Sequence, residues 1–203
     1  SGVALFEAFA RWFASRRHAR KVLVAGNHDL VLQGLGPARV QRILDAAAEA
    51  AATAPPPVYL CHGGATVAGL RFFGSPYAPF GGKNDAFRVD EPGERLDDLP
   101  PCDVVVQHMP PLLPSKRGVE YDDAVVGAVA RARAQLHVSG HCHWAHGVYF
   151  APSASGARRA AYVVASVCEA EWKMPAALQS ASGVRGDAAD KRCGGYNIFY
   201  PPI

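Results

Sequence analysis

The segment KVLVAGNHD, residues 21–29, decides how the rest of the sequence is interpreted. Its first half, Lys21-Val-Leu-Val-Ala25, is a short apolar run that ends at Gly26, as a buried strand of an α/β sheet does. The polar residues Asn27, His28 and Asp29 follow immediately, at the carboxyl end of the predicted strand. Ligands of open α/β sheets bind at that end of the strands. The segment therefore predicts both a strand and one wall of a functional site.

Two later segments repeat this arrangement of polar residues directly after an apolar strand. The run 104–106 (VVV) leads into 107–111 (QHMPP), and the run 136–138 (LHV) leads into 139–143 (SGHCH). Because such loops converge on one crevice, an amide, several imidazoles and a His-Asp pair are expected to meet there. Asn, His and carboxylate ligands suit Mn, Fe or Zn. The three segments together predict a metal site.

The remaining pattern indicates a mixed α/β sandwich in one domain, with sheets in the middle and helices outside. Apolar side chains at helical spacing predict helices over residues 3–17, 41–52 and 122–134. Residues 170–195 are poorly patterned and are predicted to be a loop or disordered insert. Further predicted strands are a hairpin of 58–60 with 65–73 around a turn at 61–64, then 148–150, 161–167 and 197–200.

Composition and charge exclude several classes of protein. Hydrophobic residues make up 49% of the 203 residues, enough for a core and too many for a disordered tail. The sequence contains no apolar run of membrane-spanning length, and charged residues interrupt the segment where a signal peptide would lie. A net charge of +3 without long basic runs predicts no stable nucleic-acid partner.

The five cysteines form no C-x-x-C pair, which argues against a disulfide framework or a structural zinc knuckle. A reducing, cytoplasmic location is the simpler expectation. One competing hypothesis is still a redox or zinc-structural protein built on the cysteines, Cys142 among them.

The order of the motifs resembles that of the calcineurin-like metallophosphoesterases. Gly26-Asn-His-Asp29 comes first, a strand ending at His108 follows, and Gly140-His-Cys-His143 fits the family's G-H-x-H motif. Residues 67–77 (VAGLRFFGSPY) and 103–112 are similar to one branch, the metallophosphoesterase-domain-containing (MPPED) proteins. The resemblance covers essentially the whole chain. It implies the family's fold, an αββα sandwich of two mixed β-sheets flanked by helices.

The resemblance also implies roles for individual residues. His28 resembles the general acid that protonates the leaving oxygen, and Asp29 the carboxylate that orients it. Two divalent metal ions, Mn, Fe or Zn, would share a hydroxide nucleophile and bind the phosphate of a small phosphodiester or nucleotide substrate. The implied metal ligands are Asn27, His108 and His141 for the second ion and His143 for the first.

The sequence departs from the family pattern at two places. The family's D-x-H motif is absent, and the one Gly-Asp, at Gly186, comes after G-H-x-H. We therefore expect residues 1–203 to be a single metallophosphoesterase domain that lacks its first strand-helix units. The alternative is a non-catalytic, truncated or decayed relative that binds a single metal ion or a nucleotide. The second departure is Met109, where the branch has Gly, which predicts a side chain close to the metal site.

Two further residues are candidate substrate contacts. Tyr77 follows Gly74-Ser-Pro76 and could stack on a substrate base or simply pack at the rim. Arg117 lies shortly after Pro111 and could meet the phosphate or lie on a solvated loop. The sequence predicts a metal-dependent phosphodiesterase without a membrane segment, and it does not indicate an oligomeric state.

Overall fold

The computed structural model describes residues 2–79, 86–90, 96–115, 118–142, 145–151 and 160–166. Within these ranges the helices are α1 (Gly2–Ala14), α2 (Leu30–Leu35), α3 (Pro37–Ala50) and α4 (Asp123–Arg131). The strands are β1 (Val22–Val24), β2 (Val58–Leu60), β3 (Gly63–Val67), β4 (Leu70–Ser75), β5 (Ala78–Pro79), β6 (Arg88–Val89), β7 (Val104–Gln107), β8 (Leu112–Ser115), β9 (Gly118–Tyr121), β10 (Leu136–Ser139), β11 (Gly147–Phe150) and β12 (Ala161–Val164).

A six-stranded mixed sheet forms the centre of the molecule, in the order β11-β12-β10-β7-β4-β3. Its four inner strands, β12, β10, β7 and β4, are parallel, and the edge strands β11 and β3 are antiparallel to their neighbours. Strands β1 and β2 form a separate two-stranded parallel sheet. The carboxyl ends of β4, β7 and β10 are in register, which brings their following loops to one edge of the sheet.

The two sheets lie face to face between helical layers. Helices α1 and α3 share a buried cluster with Tyr59 of β2, and α4 shares a second cluster with Phe73 and Val105 on the far face of the large sheet. Between the sheets, a Cβ on Gly74 would come within 2.3 Å of the Leu60 Cβ. Only glycine permits this close approach. The predicted α/β class and the αββα layering are confirmed.

Local sequence explains where the helices lie. Helix α3 begins at Pro37, a residue that suits the first turn because its missing N–H would have no helical partner. Helix α4 is capped by Asp122, whose carboxylate accepts hydrogen bonds from the N–H groups of Ala124 and Val125. The predicted helices 3–17, 41–52 and 122–134 correspond to α1, α3 and α4. None of the helices in the described ranges is long and apolar enough to cross a lipid bilayer.

The predicted hairpin between residues 58–60 and 65–73 is wrong. Strand β2 pairs in parallel with β1, whereas the hairpin joins β3 to β4 through Ala68 and Gly69. Both turn residues have positive φ, +52° and +80°, as a two-residue turn matched to the strand twist requires. The turn was not predicted because Ala68 is apolar. The more polar segment 61–64 looked more like a turn, so the hairpin was predicted there.

Several other differences from the sequence prediction concern short elements. Helix α2 and the β8–β9 hairpin were not predicted. The predicted strand at 197–200 and the predicted insert at 170–195 lie outside the described residues.

Candidate metal centre

Three loops meet where strands β1, β7 and β10 end. His108 follows β7 directly, and its backbone N–H donates a hydrogen bond to the Ser75 carbonyl at the end of β4 (2.9 Å). The His108 carbonyl accepts from the Gly140 N–H in the loop after β10 (3.1 Å). These backbone bonds fix the two histidine-bearing loops relative to each other.

Three candidate ligand atoms converge at this edge. The His108 Nε2 atom lies 2.8 Å from the Asn27 Oδ1 atom and 3.0 Å from the His141 Nδ1 atom. The two imidazole rings meet edge to face, with centroids 4.8 Å apart. Asn27 is buried, whereas His108 and His141 are half-buried, so the group opens towards solvent on the histidine side.

Hydrogen bonding alone does not satisfy this arrangement. An Nε2 atom carries either one hydrogen or one lone pair, so it cannot make good hydrogen bonds to an amide oxygen and a second imidazole nitrogen together. A cation would accept lone pairs from all three atoms. Neighbouring ligands at right angles, each roughly 2.0–2.1 Å from a metal ion, lie about 2.9 Å apart. The two observed distances match that spacing.

The chemistry of the donor set also fits a divalent cation. Two imidazole nitrogens and an amide oxygen suit Mn, Fe or Zn, and three protein ligands leave coordination positions for substrate or water. Within the described ranges, no three His, Cys, Asp or Glu side chains form a metal-binding group, and the convergence seen here depends on the Asn27 amide. His143, the implied ligand of the other ion, lies outside the described residues.

Gly26 makes room for one of the imidazoles. A Cβ on Gly26 would lie 2.3 Å from the His108 Cε1 atom and 2.4 Å from its Nδ1 atom. Any side chain there would displace the ring. His141 has a φ of +61°, a left-handed conformation that is uncommon for a non-glycine residue. Such strain is often found at functional sites, where surrounding structure maintains it.

His28 and Asp29 lie in the loop between β1 and α2. The Asp29 Oδ2 atom accepts a hydrogen bond from the Gly26 N–H (2.7 Å), which closes the loop around Asn27 and His28. Burial raises the pKa of Asp29, and this effect exceeds the opposing effects of the Gly26 hydrogen bond and of the nearby His28. His28 is exposed to solvent. The structure thus places both residues beside Asn27.

Three other residues were singled out from the sequence: Tyr77, Met109 and Arg117. Tyr77 is half-buried, and its ring contacts His62 with centroids 5.0 Å apart. Met109 is half-buried and packs against the cluster on the α4 side of the large sheet, and its predicted position close to the metal site is still a prediction. Arg117 lies outside the described residues. The substrate roles of Tyr77 and Arg117 are still predictions.

A buried polar group beneath the site was not predicted from the sequence. Gln107 and His137 point to the α4 side of the sheet, and the Gln107 Oε1 atom lies 3.1 Å from the His137 Nε2 atom. Both are almost fully buried, at 2% and 0% exposed. Each stands within an apolar strand, and only the period-two alternation along β7 and β10 could have assigned them to a common face.

The cysteines give little support for a redox or zinc-thiolate site. Cys61, Cys102 and Cys142 are free, and Cys142 is buried beside His141. Burial raises the pKa of the Cys142 thiol to about 11, which makes it a poor nucleophile and a poor redox thiol near neutral pH. Within the described ranges, no metal-binding group of three or more His, Cys, Asp or Glu side chains is formed.

The match to a family model agrees with the motif order. The family model described as calcineurin-like phosphoesterase matches residues 2–145. A solved crystal structure is 18% identical, with a TM-score of 0.49, and the match covers 81% of this chain and 63% of that chain. This chain therefore spans less than two thirds of that structure's length. No protein of curated function matches.

These matches do not distinguish branches of the family, so the resemblance to the MPPED proteins is still a prediction. The matched region contains the loops after β1 and β7 and the His141 loop, which carry the three converging donor atoms. Family members generally bind divalent metal ions and hydrolyse phosphoesters. The chain belongs to the calcineurin-like phosphoesterase family.

Proposed function

We propose that this chain carries the catalytic edge of a metal-dependent phosphodiesterase that acts on a small phosphodiester. The observation that carries the proposal is the convergence of three donor atoms. The Asn27 Oδ1 atom and the His141 Nδ1 atom lie 2.8 Å and 3.0 Å from the His108 Nε2 atom. Membership of a phosphoesterase family supports the reaction class. The MPPED-like stretches favour a diester over a monoester as substrate.

In this proposal, Asn27, His108 and His141 hold one divalent cation, and His143 belongs to the ligands of a second. Bound cations would supply Lewis-acid activation of water and neutralise charge on the phosphate. Backbone hydrogen bonds to the Ser75 carbonyl and from the Gly140 N–H hold His108 in position. The rigid loops therefore present the donor atoms before any ligand arrives.

His28 is assigned the general-acid role. It follows Asn27 directly and is exposed, so its imidazolium can reach an ester oxygen held at the centre and donate a proton as the alkoxide departs. Asp29 is assigned the orienting role, because its carboxylate is anchored on the Gly26 N–H and interacts electrostatically with His28. Proton transfer to the leaving oxygen is then the step that this chain contributes directly.

The test is hydrolysis of bis(p-nitrophenyl) phosphate by the purified protein with its native N-terminus, loaded with Mn, with Fe and Zn in parallel. We expect turnover. With a dialkyl phosphodiester, whose leaving group is an alkoxide, we expect His28→Ala to lower kcat by about two to three powers of ten, the usual scale for one acid–base group. His18→Ala, a substitution at an exposed histidine in the loop after α1, is the matched control and should keep full activity.

Absence of turnover with every metal would refute the proposal. If the chain then still bound one equivalent of metal, the result would support the non-catalytic relative that the sequence analysis kept as its alternative. If His28→Ala had no effect on hydrolysis, the proposed phosphodiesterase activity would stand, but the proposed general-acid role of His28 would be refuted.

A further inference from the structure

A cavity of about 480 Å³ lies on the α4 side of the loop that carries His108. This volume is within the range of small-molecule sites, roughly 300–1,000 Å³. Gln107 and Met109, the two chain neighbours of His108, both line it. The cavity therefore begins within one residue of the candidate metal ligand, close enough to receive another part of a molecule whose phosphate is bound there.

The cavity wall is mainly apolar. It is built from the loop after β7, the β8–β9 hairpin and the start of α4, together with one residue of β5. The ring of Tyr121 adds an aromatic surface. Such a wall favours an alkyl or aryl group over a hydrated sugar phosphate. Its apolar members are Pro79, Met109, Pro110, Pro111, Leu112 and Val125.

Within the described part of the chain, the charged residues that line the cavity are acidic: Asp90, Glu120 and Asp122. The Asp122 carboxylate caps α4 through the N–H groups of Ala124 and Val125. Asp90 and Glu120 are exposed at the rim. Negative charge there repels an anionic group and attracts a cation, and an aromatic ring such as that of Tyr121 adds a favourable face for an alkylammonium.

A polar amide also forms part of the cavity wall. Gln107 is 2% exposed, lines the cavity, and pairs through its Oε1 atom with His137. This pairing fixes the amide in the wall, where it adds a polar group beside the apolar residues.

We propose that this cavity binds one ester group of the phosphodiester and selects an apolar group with positive charge, such as an alkylammonium, over one with negative charge. This inference rests on the proposed phosphodiesterase function. It narrows the substrate class from small phosphodiesters in general to diesters of cationic alcohols.

The test compares three phosphodiesters with the same p-nitrophenolate leaving group. They are p-nitrophenyl phosphocholine, its uncharged isostere p-nitrophenyl neohexyl phosphate, and the anionic p-nitrophenyl carboxypropyl phosphate. With the Mn-loaded chain, kcat/KM should decrease in that order, by about tenfold in total. Glu120→Gln should lower the ratio of kcat/KM between the cationic and uncharged substrates about two- to fivefold, the scale of one exposed charge.

The matched control is Glu7→Gln, at an exposed position on α1, which should leave that ratio unchanged. Equal kcat/KM values for the three substrates, or a preference for the anionic one, would overturn the proposal. The same would follow if Glu120→Gln and Glu7→Gln had equal effects on the ratio.

A binding experiment separates failure of the cavity from failure of the enzyme. Methyl NMR of the methionines follows Met109 during titration with choline, and Met174 supplies the second signal for comparison. A selective Met109 shift that weakens in Glu120→Gln would support the cavity even if no substrate turned over. No Met109 shift with choline, or an equal shift with butyrate, would refute the cavity whatever the activity.

Discussion

His137 and His141 lie on β10 and in the loop that follows it, yet the structure uses them in opposite ways. His137 is fully buried, with its Nε2 atom paired to Gln107 and its Nδ1 atom without a partner among the described residues. His141 is half-buried, and its Nδ1 atom faces the Nε2 atom of His108. The histidine within the strand is thus a core residue, and the histidine in the loop after the strand is a candidate ligand.

The comparison shows that burial and the number of facing donor atoms distinguish the two roles. Burial lowers the pKa of His137 to about 3, so this imidazole stays neutral and acts only as a packed hydrogen-bond partner. The His141 Nδ1 atom, in contrast, lies 3.0 Å from the His108 Nε2 atom, which in turn lies 2.8 Å from the Asn27 Oδ1 atom, and both distances match the spacing of metal ligands. We therefore expect that substitution of His137 lowers stability and that substitution of His141 weakens metal binding.

The largest expected effect on stability follows from His137→Ala. The substitution leaves a cavity in the core and removes the partner of the buried Gln107 amide, so we expect the free energy of unfolding to fall by about 2–5 kcal/mol. Denaturant titration measures it. His141→Ala should cost less than about 1 kcal/mol, because its side chain is half-exposed. Equal losses for the two variants would remove the distinction between them.

Gly26→Ala should affect both properties, since its Cβ would overlap the His108 ring. We expect about 1–3 kcal/mol of destabilisation from overpacking. Displacement of the ring should weaken metal affinity about 10- to 100-fold, the usual range for residues that position a ligand. Calorimetric titration with Mn and denaturant titration measure the two effects. An unchanged metal affinity would show that His108 does not need its observed position.

The pH dependence of the free energy of unfolding should include a contribution from His137 that can be measured by itself. Below about pH 6.5 the unfolded state takes up a proton on this imidazole, whereas the folded state does not until about pH 3. The unfolded state therefore gains stability as pH falls through that window, by at most about 1.4 kcal/mol per pH unit. Thermal or denaturant unfolding from pH 7 to pH 4 should show a smaller slope for His137→Leu. An identical slope in both proteins would contradict the assignment.

The smallest effect is expected for Cys142→Ala, next to His141. Removal of a small buried thiol should cost about 1 kcal/mol. The metal content should stay unchanged, because the converging donor atoms belong to Asn27, His108 and His141. Unfolding measurements and elemental analysis provide the readouts. Loss of metal in this variant would revive the hypothesis of a cysteine-based site.

Much of the fold could be predicted because its signals are local. The apolar runs at β1, β7 and β10 and the capped helix α4 have periodicity and end signals within a few residues. The pairing of β2 with β1 could not be predicted, because it depends on the crossover through α2 and α3 and not on the residues between β2 and β3. The turn at Ala68 and Gly69 could not be predicted because Ala68, an apolar residue, occupies a positive-φ position that glycine or asparagine would usually mark.

For the candidate site, the sequence predicted which loops meet, but it did not predict the distances and directions of the side chains. Placement after parallel strands was enough to bring Asn27, His108 and His141 together. The role of Gly26 depends on the distance to a ring far away in the sequence, and the direction of Met109 depends on packing against α4. Neither property is encoded in residue type or spacing, so only the folded structure reveals them.

The most direct measurement of the central claim is the stoichiometry and affinity of Mn binding, by calorimetry and elemental analysis. The wild-type chain should bind at least one equivalent, and His108→Ala and His141→Ala should each weaken affinity by at least about 100-fold. His18→Ala, the exposed-histidine control, should bind as the wild type does. Unchanged Mn binding in both His108→Ala and His141→Ala would contradict the claim that these imidazoles form the metal centre.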